Sequence, residues 1–194
     1  MIIEAQDRVC VYNRISTFWH WCHRGFKDLA LIRPNDDRVL GRKKCTDCAS
    51  GAVDVLNDAK IYECIKDIFK GEDAKNVIIC GTGMPVDMSL DRPKQRYVAP
   101  RRFFDEILAL EIETTAVSSG TRKEQEMINI AFLFGNERVG MSPDDMEKCD
   151  VMLGIPTNPE FGSLNMASAV QIIAYDWREA IGGFDLNSND ELER

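Results

Sequence analysis

No apolar run in this sequence approaches the ~18 residues that a membrane-spanning helix needs. The longest, such as Ala131 to Phe134, stop far short of that, which excludes a membrane-spanning chain. Basic residues are in deficit: Lys plus Arg number 24 against 32 Asp plus Glu, for a formal net charge of −8. That argues against a non-specific coat for nucleic acid, although a local basic patch stays compatible, because binding depends on where charge sits. With 13 Gly and 7 Pro, 44% hydrophobic and 29% charged residues, the composition excludes collagen-like and disordered chains. There is no internal repeat. The N-terminus, Met1-Ile2-Ile3-Glu4, lacks the basic start and apolar block of a secretory leader; a cleaved organellar leader stays compatible. What is present is an odd count of seven cysteines, at 10, 22, 45, 48, 64, 80 and 149, mostly within apolar stretches. These read as reduced, buried thiols of a cytoplasmic compartment and not as a disulfide framework.

The length of 194 residues suggests one domain, taken as residues 1–184 with a polar, frayed tail over 185–194. Val9 to Tyr12 and Leu29 to Ile32 read as buried strands, the second closed by Arg33-Pro34. Between them the aromatic-rich stretch Ile15 to Arg24 reads as a helix ending at Gly25. Val39 to Leu56 reads as a second helical stretch and Ile61 to Phe69 as a third. Asn76 to Cys80 is a compact strand running into Gly81-Thr82-Gly83. Pro100 to Ile112 is helical, with Phe103, Phe104, Ile107 and Leu108 at the spacing of a buried face. Val117 to Glu126 reads as a polar surface insertion. Ile128 to Phe134 is the most convincing central strand. Ser142-Pro143-Asp144-Asp145 opens a short helix, with Ser as cap and Pro at its first position. Val151 to Ile155 is a further strand, and Ser163 to Ile181 a long terminal helix. Strands alternating with helices and reading as continuous apolar runs imply an α/β fold with a mostly parallel sheet.

Chemistry concentrates between Phe132 and Arg178. Gly135, at a strand end, permits close approach of another molecule, and Gly140 offers a second tight bend. Ile155-Pro156 ends a strand without a donor at the proline, and Gly162-Ser163 leads into a helix whose first N–H groups can bind an acceptor. Two glycine-bearing loops beside a helix start describe the crevice that α/β sheets use for ligands. Taken singly, such glycine spacings also describe ordinary turns.

The run FGNERVGMS (Phe134 to Ser142) followed by IPTNPEFGSLNMASAVQIIAYDWR (Ile155 to Arg178) resembles motifs two and three of the SpoU/TrmH branch of the SPOUT RNA methyltransferases. The likeness is greatest to the TrmJ subgroup, which methylates ribose in tRNA. Phe26 to Pro34, Ala49-Ser50-Gly51-Ala52 through Ile61, and Ile79 to Met84 resemble the family's earlier elements, so the resemblance covers roughly residues 8 to 181. It implies a Rossmann-like sheet with a C-terminal trefoil knot, a feature too rare to propose from pattern alone. It also implies a homodimer that binds S-adenosylmethionine and acts on RNA, either tRNA or rRNA. Carried over by position, the cofactor would lie against Thr82, Gly83, Met84, Gly135, Gly140, Ile155, Gly162, Ser163 and Leu164. Apolar, backbone-rich loops suit adenine, and the sulfonium calls for no metal. Asn165 matches the motif-three Asn, and Glu137 and Arg138 match the polar pair of motif two.

A ribose 2′-hydroxyl is a poor nucleophile until its proton is removed or its developing oxyanion is stabilised. The family uses an Arg in motif one, six residues after an Asn. Here Asn13 fits, but the Arg position is Trp19 and the motif Gly is Ile15. An indole cannot replace a guanidinium in that role. Three accounts stay open. Arg14, His20, His23 or Arg24 supplies the charge from nearby; the protein is a degenerate member that still binds RNA or cofactor; or the mechanism or the motif register differs. His20 and His23 also read simply as the edge of a surface patch. The catalytic candidates are therefore Asn13, Arg14, Glu137 and Asn165.

Arg92, Lys94, Arg96, Arg101 and Arg102 gather after the Gly81-Thr82-Gly83 loop, with Tyr97, Phe103 and Phe104 interleaved. They form a candidate positive lip for an RNA backbone, or else a solvated loop and helix start. Arg38, Arg42, Lys43 and Lys44 form a weaker candidate. Cys45-Thr46-Asp47-Cys48 is a single C-x-x-C, for which packing is favoured over zinc. The expectation is a ribose 2′-O-methyltransferase of tRNA or rRNA; the alternative is a non-catalytic RNA-binding or assembly factor on the same scaffold.

Overall fold

The computed structural model of the chain describes residues 8–11, 28–34, 38–49, 53–68, 77–83, 96–117, 129–135 and 140–183. These segments contain seven strands, most of them apolar runs: β1 (Arg8–Val11), β2 (Asp28–Ile32), β3 (Lys60–Tyr62), β4 (Val77–Thr82), β5 (Arg96–Val98), β6 (Asn129–Phe134) and β7 (Val151–Leu153). They make one sheet in the spatial order β3-β2-β1-β6-β4-β7-β5, and every neighbouring pair is parallel. All strand C-termini therefore meet at one edge, where such sheets bind ligands.

β6 is the middle of the sheet, between β1 and β4. Because side chains alternate along a strand, Ile130, Phe132 and Phe134 enter one layer while Leu133 enters the other. The first layer is closed by α4 (Pro100–Val117) and α6 (Met166–Ala180), through Phe104, Ile107, Val170, Ile173 and Trp177. Phe104, Phe132 and Trp177 meet there edge to face, with centroids 5.2–6.3 Å apart, a geometry favoured by their ring quadrupoles. The second layer holds Ala30, Ile32, Ile65, Met141, Cys149 and Met152; it is covered by α3 (Ile65–Ile68) and α5 (Pro143–Met146). β7 is pinned to β4 at its start: the Ile79 N–H donates to Asp150 Oδ2 and the Asp150 N–H to the Ile79 carbonyl, both at 2.8 Å.

Three expectations are corrected. Ile61 to Phe69 is not one helix, because Lys60–Tyr62 pairs with β2 and only Ile65–Ile68 is helical. Val39 to Leu56 is divided into a 3-10 turn (Val39–Gly41), α1 (Lys43–Ala49) and α2 (Val53–Asp58). The terminal helix starts at Met166, not Ser163, because Asn165 caps it by accepting from the Ser168 N–H at 3.1 Å. The cap at Ser142 stands as read, accepting from the Asp145 N–H at 3.2 Å with Pro143 at the first helical position. The expected helix at 15–24, the insertion beyond Val117 and the tail from 185 lie outside the described residues.

Candidate functional site

Strand register builds the site. Gly81 is paired with Leu133, and Thr82 with Leu153. One and two residues further on, Gly83, Gly135 and Gly154 come level at the ends of three adjacent strands, β4, β6 and β7. Gly83 donates to the Leu153 carbonyl at 3.3 Å, and the Thr82 hydroxyl donates to the Leu133 carbonyl at 3.1 Å. Gly135 is obligatory: a Cβ there would stand 2.3 Å from Gly140 C and Met141 N, so the chain leaving β6 returns directly against it. Gly140 makes that return with φ +71°, a left-handed conformation natural to glycine. At Gly154 a Cβ would coincide with the Tyr97 phenol, 1.3 Å from its oxygen, so Tyr97 lies on the β7 exit. Partial burial pushes the Tyr97 hydroxyl pKa above its usual 10.

From Ile155 to Asn165 the chain is tied to itself. The Thr157 hydroxyl donates to the Gly162 carbonyl at 3.0 Å, and Asn158 Oδ1 accepts from the Glu160 N–H at 3.0 Å. Asn158 thereby caps a 3-10 turn (Pro159–Phe161) that has proline at its first position. Among the described residues, no backbone carbonyl accepts from the N–H groups of Ile155, Ser163 or Leu164. Ile155 is half-buried and Leu164 exposed. Backbone donors that no described carbonyl engages, beside apolar side chains, fit a flat heteroaromatic ligand such as adenine. Asn165 uses its amide oxygen as the cap of α6, which leaves its NH2 group as a donor.

The structure thus sets Thr82, Gly83, Gly135, Gly140 and Ile155 at the C-terminal edge of the sheet, and Gly162, Ser163, Leu164 and Asn165 on the loop that leaves β7 and leads into α6. Met84, Asn13, Arg14 and Glu137 lie outside the described residues, as do Trp19, His20, His23, Arg24 and Arg138. Sequence reading missed Gly154, whose need for glycine depends on Tyr97 from a distant strand. It also missed the self-bracing of Thr157 and Asn158, for which Thr-Asn-Pro was an available turn signature.

The SpoU rRNA methylase family profile matches residues 23–175. The chain belongs to this family. TrmJ of Citrobacter koseri, a tRNA (cytidine/uridine-2′-O-)-methyltransferase, is 33% identical over 152 residues, covering 77% of this chain and 50% of that enzyme. The chain spans half or less of the length of the curated relatives it matches. Two solved structures show the same fold. A probable methyltransferase from Bordetella pertussis Tohama I superposes with TM-score 0.71 at 22% identity, over 91% of this chain and 96% of that one. The SpoU methyltransferase AviRb from Streptomyces viridochromogenes, in complex with AdoMet, gives TM-score 0.59 at 15% identity, over 94% and 61%.

In this SpoU-family chain the described part of the basic lip is charge-paired. Arg96 and Arg102 both bond Glu106, the latter at 3.0 Å, and the two guanidiniums, Arg96 first, hold its carboxyl below the usual range. Arg101 Nε donates to Asp176 Oδ1 at 2.9 Å, tying α4 to α6. Three arginines against two carboxylates leave a weaker positive surface than the sequence suggests. Arg92 and Lys94 lie outside the described residues. Of the C-x-x-C pair, Cys45 is buried in the core. No described helix is long and apolar enough to cross a membrane.

Proposed function

We propose that this chain holds S-adenosylmethionine at the edge where Gly83, Gly135 and Gly154 align, and methylates a ribose 2′-hydroxyl of RNA, with tRNA as the favoured substrate. The observation that carries the reading is that three-strand glycine row, beside which the N–H groups of Ile155, Ser163 and Leu164 meet no backbone carbonyl among the described residues. Thr82, Gly83, Met84, Gly135, Gly140, Ile155, Gly162, Ser163 and Leu164 hold the cofactor in this reading. When bound, it supplies an electrophilic methyl group. The protein's own part is to place the hydroxyl and to take or stabilise its charge. Asn165 donates its NH2 toward the acceptor oxygen while the helix cap fixes its other end. Asn13, Arg14 and Glu137 complete the catalytic set. Arg92, Lys94, Arg96, Arg101 and Arg102 line the RNA path. Homodimerisation and a knotted C-terminal segment belong to the same reading. The position of β7 in the sheet, between the sequence neighbours β4 and β5, supports the knot.

Isothermal titration with S-adenosylmethionine, followed by tritium transfer to total RNA, tests this reading. Binding with transfer is expected, and absence of cofactor binding overturns it. Binding without transfer favours the non-catalytic RNA-binding reading that Trp19 at the motif-one Arg position motivates. In that case a gain of transfer in Trp19→Arg identifies a decayed methyltransferase site.

A further inference from the structure

Phe161 is the most exposed large apolar side chain among the described residues, at 78%. It stands at the end of the 3-10 turn, next to the Gly162–Leu164 stretch, on a loop with three constraints. Asn158 caps the turn, Thr157 holds the Gly162 carbonyl from within the loop, and Asn165 anchors the start of α6. An aromatic ring ordinarily gains by burial. Here the local bonds hold its backbone in place while leaving the ring in solvent, so the ring is displayed on a preorganised support.

We propose that Phe161 is a stacking platform for a nucleobase of the RNA whose ribose is presented to the methyl donor. The inference rests on the methyltransferase reading and names the residue that recognises the substrate. Single-stranded RNA is characteristically bound by aromatic side chains stacked on splayed-out bases, and one free ring face is all such a contact needs. The surroundings favour a base over other occupants. Of the exposed sequence neighbours of Phe161, Asn158, Glu160, Ser163 and Asn165 are polar, against Leu164 as an apolar one. They do not supply the apolar centre expected of a stable subunit interface. The carboxylate of Glu160 disfavours a phosphate at this point, leaving the base as the part of the nucleotide that fits. Leu164, 38% exposed and three residues on, is a second exposed apolar side chain on the same loop.

The test uses the full chain with a fluorescein-labelled, unmodified tRNA transcript, titrated by anisotropy at several salt concentrations. S-adenosylmethionine titration and sedimentation are run in parallel. Phe161→Ala is expected to weaken RNA binding about 10-fold. The salt slope should stay unchanged, because a lost stack releases no counterions. Cofactor affinity and sedimentation should also stay as in the wild type, and Phe161→Tyr should restore RNA binding. Wild-type RNA affinity in Phe161→Ala overturns the inference. So does a changed oligomeric state, which would make the ring a subunit contact, or a wild-type chain that does not hold the transcript. If the wild type methylates RNA while Phe161→Ala binds it unimpaired, the stacking role fails and the methyltransferase reading stands. If the wild type binds no cofactor, that reading fails on its own measurement.

Discussion

Gly135→Ala should be the most damaging single-methyl addition at the site. The new Cβ would stand 2.3 Å from both Gly140 C and Met141 N and 2.7 Å from Gly140 O. All three are backbone atoms, so no side-chain rotation relieves the overlap. Either the end of β6 or the 140–141 return must move by about an ångström. Overpacking of this kind costs ~1–3 kcal/mol, occasionally more. At ~2–4 °C per kcal/mol for a chain of this size, the melting temperature should fall by roughly 2–12 °C. The displaced glycine row should also weaken S-adenosylmethionine binding beyond what the stability loss explains. Thermal melts and isothermal titration of Gly135→Ala would be compared with Gly41→Ala, where nothing lies within 4 Å of the added carbon. Gly140→Ala, also uncrowded but at φ +71°, isolates the backbone-strain cost, ~1–2 kcal/mol. If Gly135→Ala melts within a degree of the wild type and binds cofactor normally, the described contact between strand end and returning chain is wrong.

Other consequences are equally direct. Asn165→Ala should cost ~1 kcal/mol through loss of the α6 cap, read by urea denaturation, while Asn165→Asp keeps stability because its carboxylate still accepts from Ser168. Arg101→Ala should cost no more than ~1 kcal/mol, and less at high salt, because its guanidinium is largely exposed even though Asp176 is not. A loss of several kcal/mol would show that the pair acts as a buried one. Burial, reinforced by Asp150, raises the Cys149 thiol pKa to about 12 and pushes Cys80 well above 9. Both should therefore resist thiol reagents at pH 8 until the protein unfolds. The folded pKa values exceed the unfolded one, so the stability these thiols contribute is complete below pH 9. It declines as pH rises from 9 toward 12, by roughly 1 kcal/mol for Cys149 at pH 10. Urea midpoints that stay level between pH 8 and pH 10 would contradict this.

How far the residues speak before folding depends on whether their signal is local. Phe132 to Phe134 announces a central strand because a continuous apolar run has few other uses, and the Ser142-Pro143 start is a cap written in adjacent residues. Lys60–Tyr62 is different. Ile61, Ile65 and Ile68 share helical spacing, and only pairing with β2 makes the first of them part of a strand. Arg96–Val98 was equally opaque: three residues, two of them exposed, become a strand because β7 offers an edge.

The chain of amino acids already carried the parallel α/β class, the family, and the glycine-bearing loops of the candidate site, since each is encoded in apolar runs or contiguous motifs. Three things emerged only on folding: the alignment of Gly83, Gly135 and Gly154 across three strands, the seat of Tyr97 on Gly154, and the pairing of Arg96, Arg101 and Arg102 with carboxylates. The reason is one of distance along the chain. Register, steric closeness and charge neutralisation join residues tens of positions apart, and no local pattern specifies which strand will be the neighbour of which.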